Sequence, residues 1–156
     1  MTVVGVTGHS NLTPDALDPV RRALRDHLRP LRTGLVGVSC LARGADQVFA
    51  DVVLEFGGAL EVVLPAADYL ARIPDPVDRE RCDAYLASAR SVLTTGRPTS
   101  GAAAYLAGSL LVLDRCEELV AVWDGRPSGG TAEAVGRARE LGMPTTVLWP
   151  AGARRG

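Results

Sequence analysis

The chain has 156 residues and a formal net charge of −1, with 47% hydrophobic and 22% charged residues. This length and balance predict one globular domain with a sizeable core, and they exclude a disordered chain. The near-neutral charge argues against nonspecific electrostatic binding to nucleic acid, so we do not expect nucleic acid as a partner. All 17 basic residues are arginine, which excludes chemistry that needs a lysine amine, such as a Walker-A phosphate contact or a Schiff base.

The cysteines and histidines are too few and too widely spaced to form a metal site. Cys40, Cys82 and Cys116 form no Cys-x-x-Cys pair, and His9 and His27 are the only histidines. We therefore expect neither a metal nor a cofactor. Unpaired thiols and the lack of a visible signal peptide predict a cytoplasmic protein. The longest uncharged run is too short to span a bilayer, so no membrane association is expected.

In the first half of the chain, apolar runs alternate with segments of helical spacing. Residues 3–7 form an apolar run typical of a buried strand. A helix is predicted to begin at Thr13-Pro14-Asp15, where the hydroxyl can cap the helix and proline suits its first position, and to continue to Leu31. The next elements are predicted to be a strand, a helix and a strand, at residues 35–41, 45–56 and 60–64.

The second half repeats this alternation after a proline-containing stretch. The predicted elements are a charged helix, a short strand, a long apolar helix, a strand, a helix and a final strand, at residues 77–90, 91–95, 101–116, 119–123, 131–141 and 145–149. Residues 151–156 follow the last strand and are expected to form a short, frayed tail. The chain is therefore predicted to be a single domain over residues 1–150.

The continuous apolar character of these strands predicts an α/β fold with a doubly wound, mainly parallel sheet. Five or six strands are expected, with helices on both faces. In such sheets ligands bind beyond the carboxyl ends of the strands, where the strand order reverses. Function is therefore expected in the loops that follow the strands, at residues 7–13, 39–46, 65–75 and 123–131.

The loop that opens the fifth helix contains the best local signal for anion binding. Ser128, Gly129, Gly130 and Thr131 combine two glycines with two hydroxyls at a predicted helix start. Glycines let the backbone approach a ligand closely, and free N–H groups at a helix N-terminus attract phosphate. A tight strand-to-helix turn needs glycines as well, so this alternative stays open.

Two further loops have the same position after a strand and before a helix. The first offers a dense set of polar groups, namely Thr7, Gly8, His9, Ser10 and Asn11. The second, residues 39–46, includes three candidates, namely Ser39, Arg43 and Gly44. Arg43 can pair with a phosphate or with Asp46, and the polar residues of both loops can also serve only the turns. We predict that these residues, apart from Asn11, belong to the ligand site.

Three segments in the right order resemble the SLOG superfamily, which includes the DNA-processing protein A (Smf) family and the Lonely Guy phosphoribohydrolases. They are Val4-Gly5-Val6-Thr7-Gly8-His9, the stretch Ser39-Cys40-Leu41-Ala42-Arg43-Gly44-Ala45-Asp46, and Ala121 to Gly125 followed by Gly129 to Glu133. The third segment is similar to the nucleotide-binding part of small stand-alone members. The resemblance covers nearly the whole chain and implies a Rossmann-like fold with a nucleotide or nucleotide derivative as ligand.

Two departures from the family pattern bear on catalysis. Small members often have Gly-His-Arg in the first loop, whereas this chain has Ser10 in the third position. The Lonely Guy enzymes have Pro-Gly-Gly-x-Gly-Thr-x-x-Glu, and here Glu133 lies one residue closer to the threonine. A shift of one residue turns a helical side chain by about 100°, which would move Glu133 away from the position that this catalysis needs. By resemblance, Glu133 and Asp124 are the candidate catalytic carboxyls, and Asp124-Gly125 can also contact a ribose.

These observations predict a nucleotide-binding protein. The leading hypothesis is a sensor or carrier that binds a nucleotide or an ADP-ribose-like ligand at the carboxyl ends of the strands. The alternatives are a phosphoribohydrolase that cleaves the N-glycosidic bond of a nucleoside 5′-monophosphate, and a protein that binds single-stranded DNA. The charge-free apolar segment 101–113 predicts a homodimer, because it is more apolar than one helix face requires.

Overall fold

The computed structural model describes residues 1–156 and contains one sheet of six parallel strands. The strands are β1 (Thr2–Gly8), β2 (Leu35–Ser39), β3 (Ala59–Leu64), β4 (Ser91–Thr94), β5 (Glu118–Val122) and β6 (Thr145–Leu148). The helices are α1 (Leu17–Leu28), α2 (Ala45–Glu55), α3 (Pro76–Ser88), α4 (Ala102–Arg115) and α5 (Gly130–Glu140). The predicted Rossmann-like α/β architecture is confirmed, and its sheet is parallel throughout.

The order of the strands creates one point of reversal. The sheet runs β4-β3-β2-β1-β5-β6, so the chain builds outwards from β1 to β4 and then returns to place β5 on the other side of β1. Strand β1 pairs with β5 from Val4 opposite Glu118 to Gly8 opposite Val122. A crevice is therefore expected beyond the carboxyl ends of β1 and β5.

Helices cover both faces of the sheet. The largest core cluster joins β1 and β5 to α1 and α2, with Phe49 and Leu24 fully buried. A second cluster packs α3 against β3 and α2 on the same face. On the opposite face α4 and α5 cover the strands, with Val112 and Ala138 in their contacts. Each fully buried Val, Leu or Phe side chain in these clusters contributes about 1.5–3 kcal/mol to stability through its removal from water.

Two details at the ends of the chain differ from the prediction. Thr13 does not cap the first helix, since its hydroxyl donates to the Arg154 carbonyl at 3.4 Å and a short 3-10 turn precedes α1. The C-terminal residues are not a frayed tail, because Arg155 forms a β-bridge with Leu12 and the Asn11 amide donates to the Gly156 carbonyl at 2.6 Å. The end of the chain is therefore fixed against the loop that follows β1. None of the helices has both the length and the apolar character needed to cross a membrane.

Candidate functional site

A cavity of about 550 Å³ lies at the point where the strand order reverses. Loops that follow β1 and β5 form part of its wall, together with residues from α4. Eight of the residues predicted for the ligand site line it, namely Thr7, Gly8, His9, Ser10, Ser128, Gly129, Gly130 and Thr131. The volume falls within the range of about 300–1,000 Å³ that is typical of small-molecule sites.

The N-terminus of α5 opens into this cavity. Gly129 immediately precedes the helix with φ +102°, a conformation that strongly favours glycine, and no side chain caps the helix. Added β-carbons at Gly129 and Gly130 would meet nothing within 4 Å, so the space in front of the helix is open. The first N–H groups of a helix have no intrahelical acceptor. This end of the cavity can therefore accept an anion on backbone donors.

His9 lies in the wall of the cavity as a neutral ring. Its Nε2 accepts a hydrogen bond from the Asp124 N–H at 3.1 Å, and the edge of the ring contacts Trp149 with 5.5 Å between centroids. Burial, together with the nearby Arg155 guanidinium, lowers the pKa of His9 despite the Asp124 carboxylate. The same Nε2 lies 3.3 Å from Asp124 Oδ1. His9 thus fixes the strand ends of β1 and β5 to each other.

Asp124 does not line the cavity, but it contacts residues that do. Its carboxylate accepts hydrogen bonds from the Arg126 N–H at 3.0 Å and from Arg155 Nε at 2.6 Å. Partial desolvation opposes ionisation, but these two donors hold the pKa of Asp124 at about 2. Arg155 itself lines the cavity. The pair therefore places a guanidinium in the wall, although sequence analysis expected these residues to form a frayed tail.

The loop between β2 and α2 is closed by internal hydrogen bonds. The Ser39 hydroxyl accepts from the Leu41 N–H at 3.1 Å and donates to the Asp46 carbonyl at 3.1 Å. A β-carbon at Gly44 would lie 2.6 Å from the His9 carbonyl oxygen, which also accepts from the Ala45 N–H. Neither Ser39 nor Gly44 lines the main cavity. The Ala45 N–H thus joins the start of α2 to the loop after β1.

Three other predicted residues also lie outside the main cavity. Arg43 is exposed and its Nε lies 3.9 Å from Asp78 Oδ2, so it pairs neither with Asp46 nor with a group in the cavity. Gly125 forms the turn after β5 with φ +85°. Glu133 is exposed on α5 and does not line the cavity. Glu133 thus lies in the first turn of α5, next to the glycine loop but outside the cavity wall.

Several residues that line the cavity were not selected by sequence analysis. Asp46, Tyr69, Tyr105 and Arg155 all contribute to its wall. Asp46 was part of a quoted motif and was considered only as a partner for Arg43. The tyrosines come from an irregular segment and from α4, where no pattern of sequence distinguishes a cavity residue from a packing residue. Only the position of the strands brings these residues together.

The cavity wall contains both polar and aromatic groups. The polar groups include the N-terminus of α5, Ser10 and Arg155. The rings of Tyr69 and Tyr105 meet edge to face, with centroids 6.3 Å apart, and both residues line the cavity together with Pro65. This combination suits a ligand that carries a phosphate and a planar ring.

Comparison with known proteins shows similarity in structure. No family model and no curated protein matches the sequence. DNA processing protein A from Streptococcus pneumoniae is similar with a TM-score of 0.75 and 19% identity, over 97% of this chain and 51% of that one. The Helicobacter pylori protein of the same name has a TM-score of 0.70 and 17% identity, over 95% of this chain and 65% of that one. The chain thus spans about half to two thirds of their length.

A third similar structure comes from a protein with a different name. The molybdenum cofactor binding protein from Rippkaea orientalis has a TM-score of 0.62 and 16% identity, over 94% of this chain and 76% of that one. Identities this low support conclusions about the fold. The Rossmann-like fold implied by the three sequence motifs is confirmed, and the chain shares this fold with DNA processing protein A and the molybdenum cofactor binding protein.

Proposed function

We propose that this protein binds a nucleotide or an ADP-ribose-like ligand in the main cavity and acts as a sensor or carrier. The observation that carries the proposal is the open N-terminus of α5 inside a cavity of nucleotide size. The phosphate is expected on the N–H groups of Gly129, Gly130 and Thr131, with Arg155 as a nearby cation. Hydrogen bonds to a charged group contribute roughly 1.5–3 kcal/mol each.

Hydrolysis of an N-glycosidic bond is the enzymatic alternative. It requires a carboxyl beside the bond that breaks, and neither of the carboxyls predicted for that role, Glu133 and Asp124, lines the cavity. The carboxyl that does line it, Asp46, belongs to α2. Asp124 is also engaged by Arg126 and Arg155. Binding without turnover is therefore the stronger proposal, and turnover is measured as a separate outcome.

Single-stranded DNA is the second alternative. DNA processing protein A from Helicobacter pylori has a single-stranded DNA binding mode, so our expectation that nucleic acid is not a partner is not supported. The proposal of a small ligand is favoured by the cavity, because a deep site encloses a ligand whereas an oligonucleotide needs an extended basic groove. An oligonucleotide therefore belongs in the binding assay.

A thermal-shift assay with a matched pair of variants tests the proposal. The ligands are ribonucleoside mono- and diphosphates, ADP-ribose, inorganic phosphate and a single-stranded oligonucleotide. A true ligand at about a hundred times its Kd stabilises the protein by about 2.7 kcal/mol, which raises the Tm by roughly 5–11 °C. Gly130→Val should abolish this shift, because its side chain enters the space in front of the helix.

Gly136→Val is the control for the assay. Gly136 is exposed on the same helix, does not line the cavity, and leaves equal space for a β-carbon. The control should retain the whole ligand shift. A full shift in a folded Gly130→Val protein would refute phosphate binding at α5. Release of free base would support the hydrolase, and a salt-sensitive shift with the oligonucleotide alone would support DNA binding.

We also propose that the protein forms a homodimer through α4. The outer face of this helix includes Leu110, which is 40% exposed and does not line the cavity. The helix has no charged residue before Asp114. A second copy of this chain supplies a matching apolar surface, as a two-fold interface requires.

A further inference from the structure

Asp46 is a buried carboxyl that faces the cavity without a cationic partner. The residue is only 7% exposed, and no arginine lies within ion-pair distance of it. Its Oδ2 accepts one long hydrogen bond, from the Ala42 N–H at 3.4 Å, and its Oδ1 has no donor in the protein. Burial raises the pKa of Asp46 to about 7 against the effect of the Ala42 N–H. A buried carboxyl that lacks donors is costly unless a ligand supplies them.

The groups around Asp46 supply a surface for a ring and no competing charge. Cys40 and Tyr69 line the cavity near Asp46, and burial raises the pKa of both, so both are neutral around pH 8. Tyr69 is in edge contact with Tyr105. A planar ring placed against these tyrosines would present its edge to the carboxylate. A carboxylate only accepts hydrogen bonds, so this edge must carry donors.

We propose that Asp46 determines the specificity of the site by binding a heterocyclic base that presents two adjacent N–H donors, as guanine does. This inference rests on the proposed nucleotide binding and names the class of base. The ring N–H and the exocyclic amino group of guanine match the two oxygens of a carboxylate. Adenine presents one donor and one acceptor at the corresponding edge, so its acceptor would face an oxygen lone pair.

Calorimetric titration with GMP, IMP and AMP at about pH 8 tests this assignment. GMP should bind tightest, IMP should bind about tenfold more weakly because it lacks the amino group, and AMP should be weaker still. Asp46→Asn exchanges one acceptor for a donor. This variant should lose about 10- to 100-fold in affinity for GMP, and its affinity for AMP should stay equal or rise.

Asp114→Asn is the matched control, because it removes the same charge from an exposed position on α4 outside the cavity. It should retain the wild-type order of ligands. Equal affinities of the wild type for GMP and AMP, or unchanged GMP affinity in Asp46→Asn, would overturn the assignment.

Ribose 5-phosphate separates this inference from the proposed function. If ribose 5-phosphate binds as tightly as GMP and Gly130→Val abolishes its binding, the phosphate site stands and the role of Asp46 is refuted. If none of these phosphates binds, both proposals fail. Weak ribose 5-phosphate binding beside tight GMP binding supports both.

Discussion

Two strand-to-helix loops of this protein both end in a glycine, but one is blocked by a neighbouring loop and the other is open. The α2 loop, residues 40–44, and the α5 loop, residues 123–129, each connect a strand to a helix and end in a glycine of positive φ. In the α2 loop the His9 carbonyl accepts the Ala45 N–H at 3.3 Å, and it leaves no space for a β-carbon at Gly44. In the α5 loop no atom lies within 4 Å of added β-carbons at Gly129 and Gly130.

The comparison shows what a glycine at a helix start does not reveal by itself. Both helices begin with free N–H groups by their nature. At the N-terminus of α2 the Ala45 N–H donates to the His9 carbonyl, whereas the N-terminus of α5 faces the cavity. The difference lies in the neighbouring element, since the loop after β1 passes directly in front of α2. Phosphate binding is therefore predicted at α5 and not at α2.

The largest expected effect is the loss of stability from a side chain in the closed loop. Gly44→Val places a β-branched residue at φ +87°, against the His9 carbonyl, and should lower the free energy of unfolding by roughly 2–6 kcal/mol. Gly130→Val should change it by no more than about 1 kcal/mol. Urea denaturation measures both. Equal losses would mean that the two loops do not differ as described.

A pH-dependent effect follows from Asp46, the ionisable group that α2 presents to the cavity. Its pKa of about 7 in the folded state exceeds the ordinary value of 3.8. The folded state therefore binds the proton more tightly, so stability falls as the pH rises from about 4 to about 7. Asp46→Asn cannot ionise, and should be more stable than the wild type by on the order of 4 kcal/mol at about pH 8.

The gain should vanish below about pH 3, where the carboxyl is protonated in both states. Denaturation at several pH values measures it, with Asp114→Asn as a control that should show no such trend. A constant difference between Asp46→Asn and the wild type at every pH would contradict the raised pKa of Asp46.

A smaller effect on stability is expected from the C-terminal segment. Its Arg155 donates a hydrogen bond to Asp124 in the α5 loop. Arg155→Met removes the guanidinium, so the pKa of Asp124 should rise from about 2 towards 3.8. A lowered carboxyl pKa contributes stability above about pH 4, and this is lost as the pH falls through about 2. The variant should therefore melt at a lower temperature at neutral pH, and the difference should shrink in acid.

Carbon-detected NMR titration of the Asp124 carboxyl measures the shift directly. Arg154→Met is the control, because Arg154 is exposed and forms no ion pair. If Asp124 titrates identically in the wild type and in Arg155→Met, the C-terminal segment does not hold this carboxylate.

The smallest effect on folding is expected on the outer face of α4. Leu110→Glu changes a residue that is 40% exposed, so the stability of the monomer should change by about 0.5 kcal/mol or less. The same substitution should dissociate the proposed dimer, because it buries a charge in the interface. Small-angle scattering over a wide concentration range gives the mass. Leu141→Glu, at a residue 67% exposed just beyond α5, should leave a dimer intact.

The sequence alone was sufficient to predict the architecture. Apolar runs such as residues 35–39 and the helical spacing of Val20, Leu24 and Leu28 report burial, which is a property of each segment. The alternation of the two kinds of segment then requires a parallel sheet covered on both faces. This information also predicted that the loops after β1 and β5 lie at the same edge of the sheet, since parallel strands share a direction.

The tertiary structure alone decided which polar residues meet. Tyr69 and Tyr105 are 36 positions apart in the sequence, and the crossing of α4 brings their rings together. Arg155 was expected in a frayed end, but it reaches the cavity because its partner Asp124 follows β5. Whether a glycine loop is open or blocked depends on the carbonyl of another loop, as at Gly44. Such contacts depend on how distant segments pack, and no local pattern of residues encodes them.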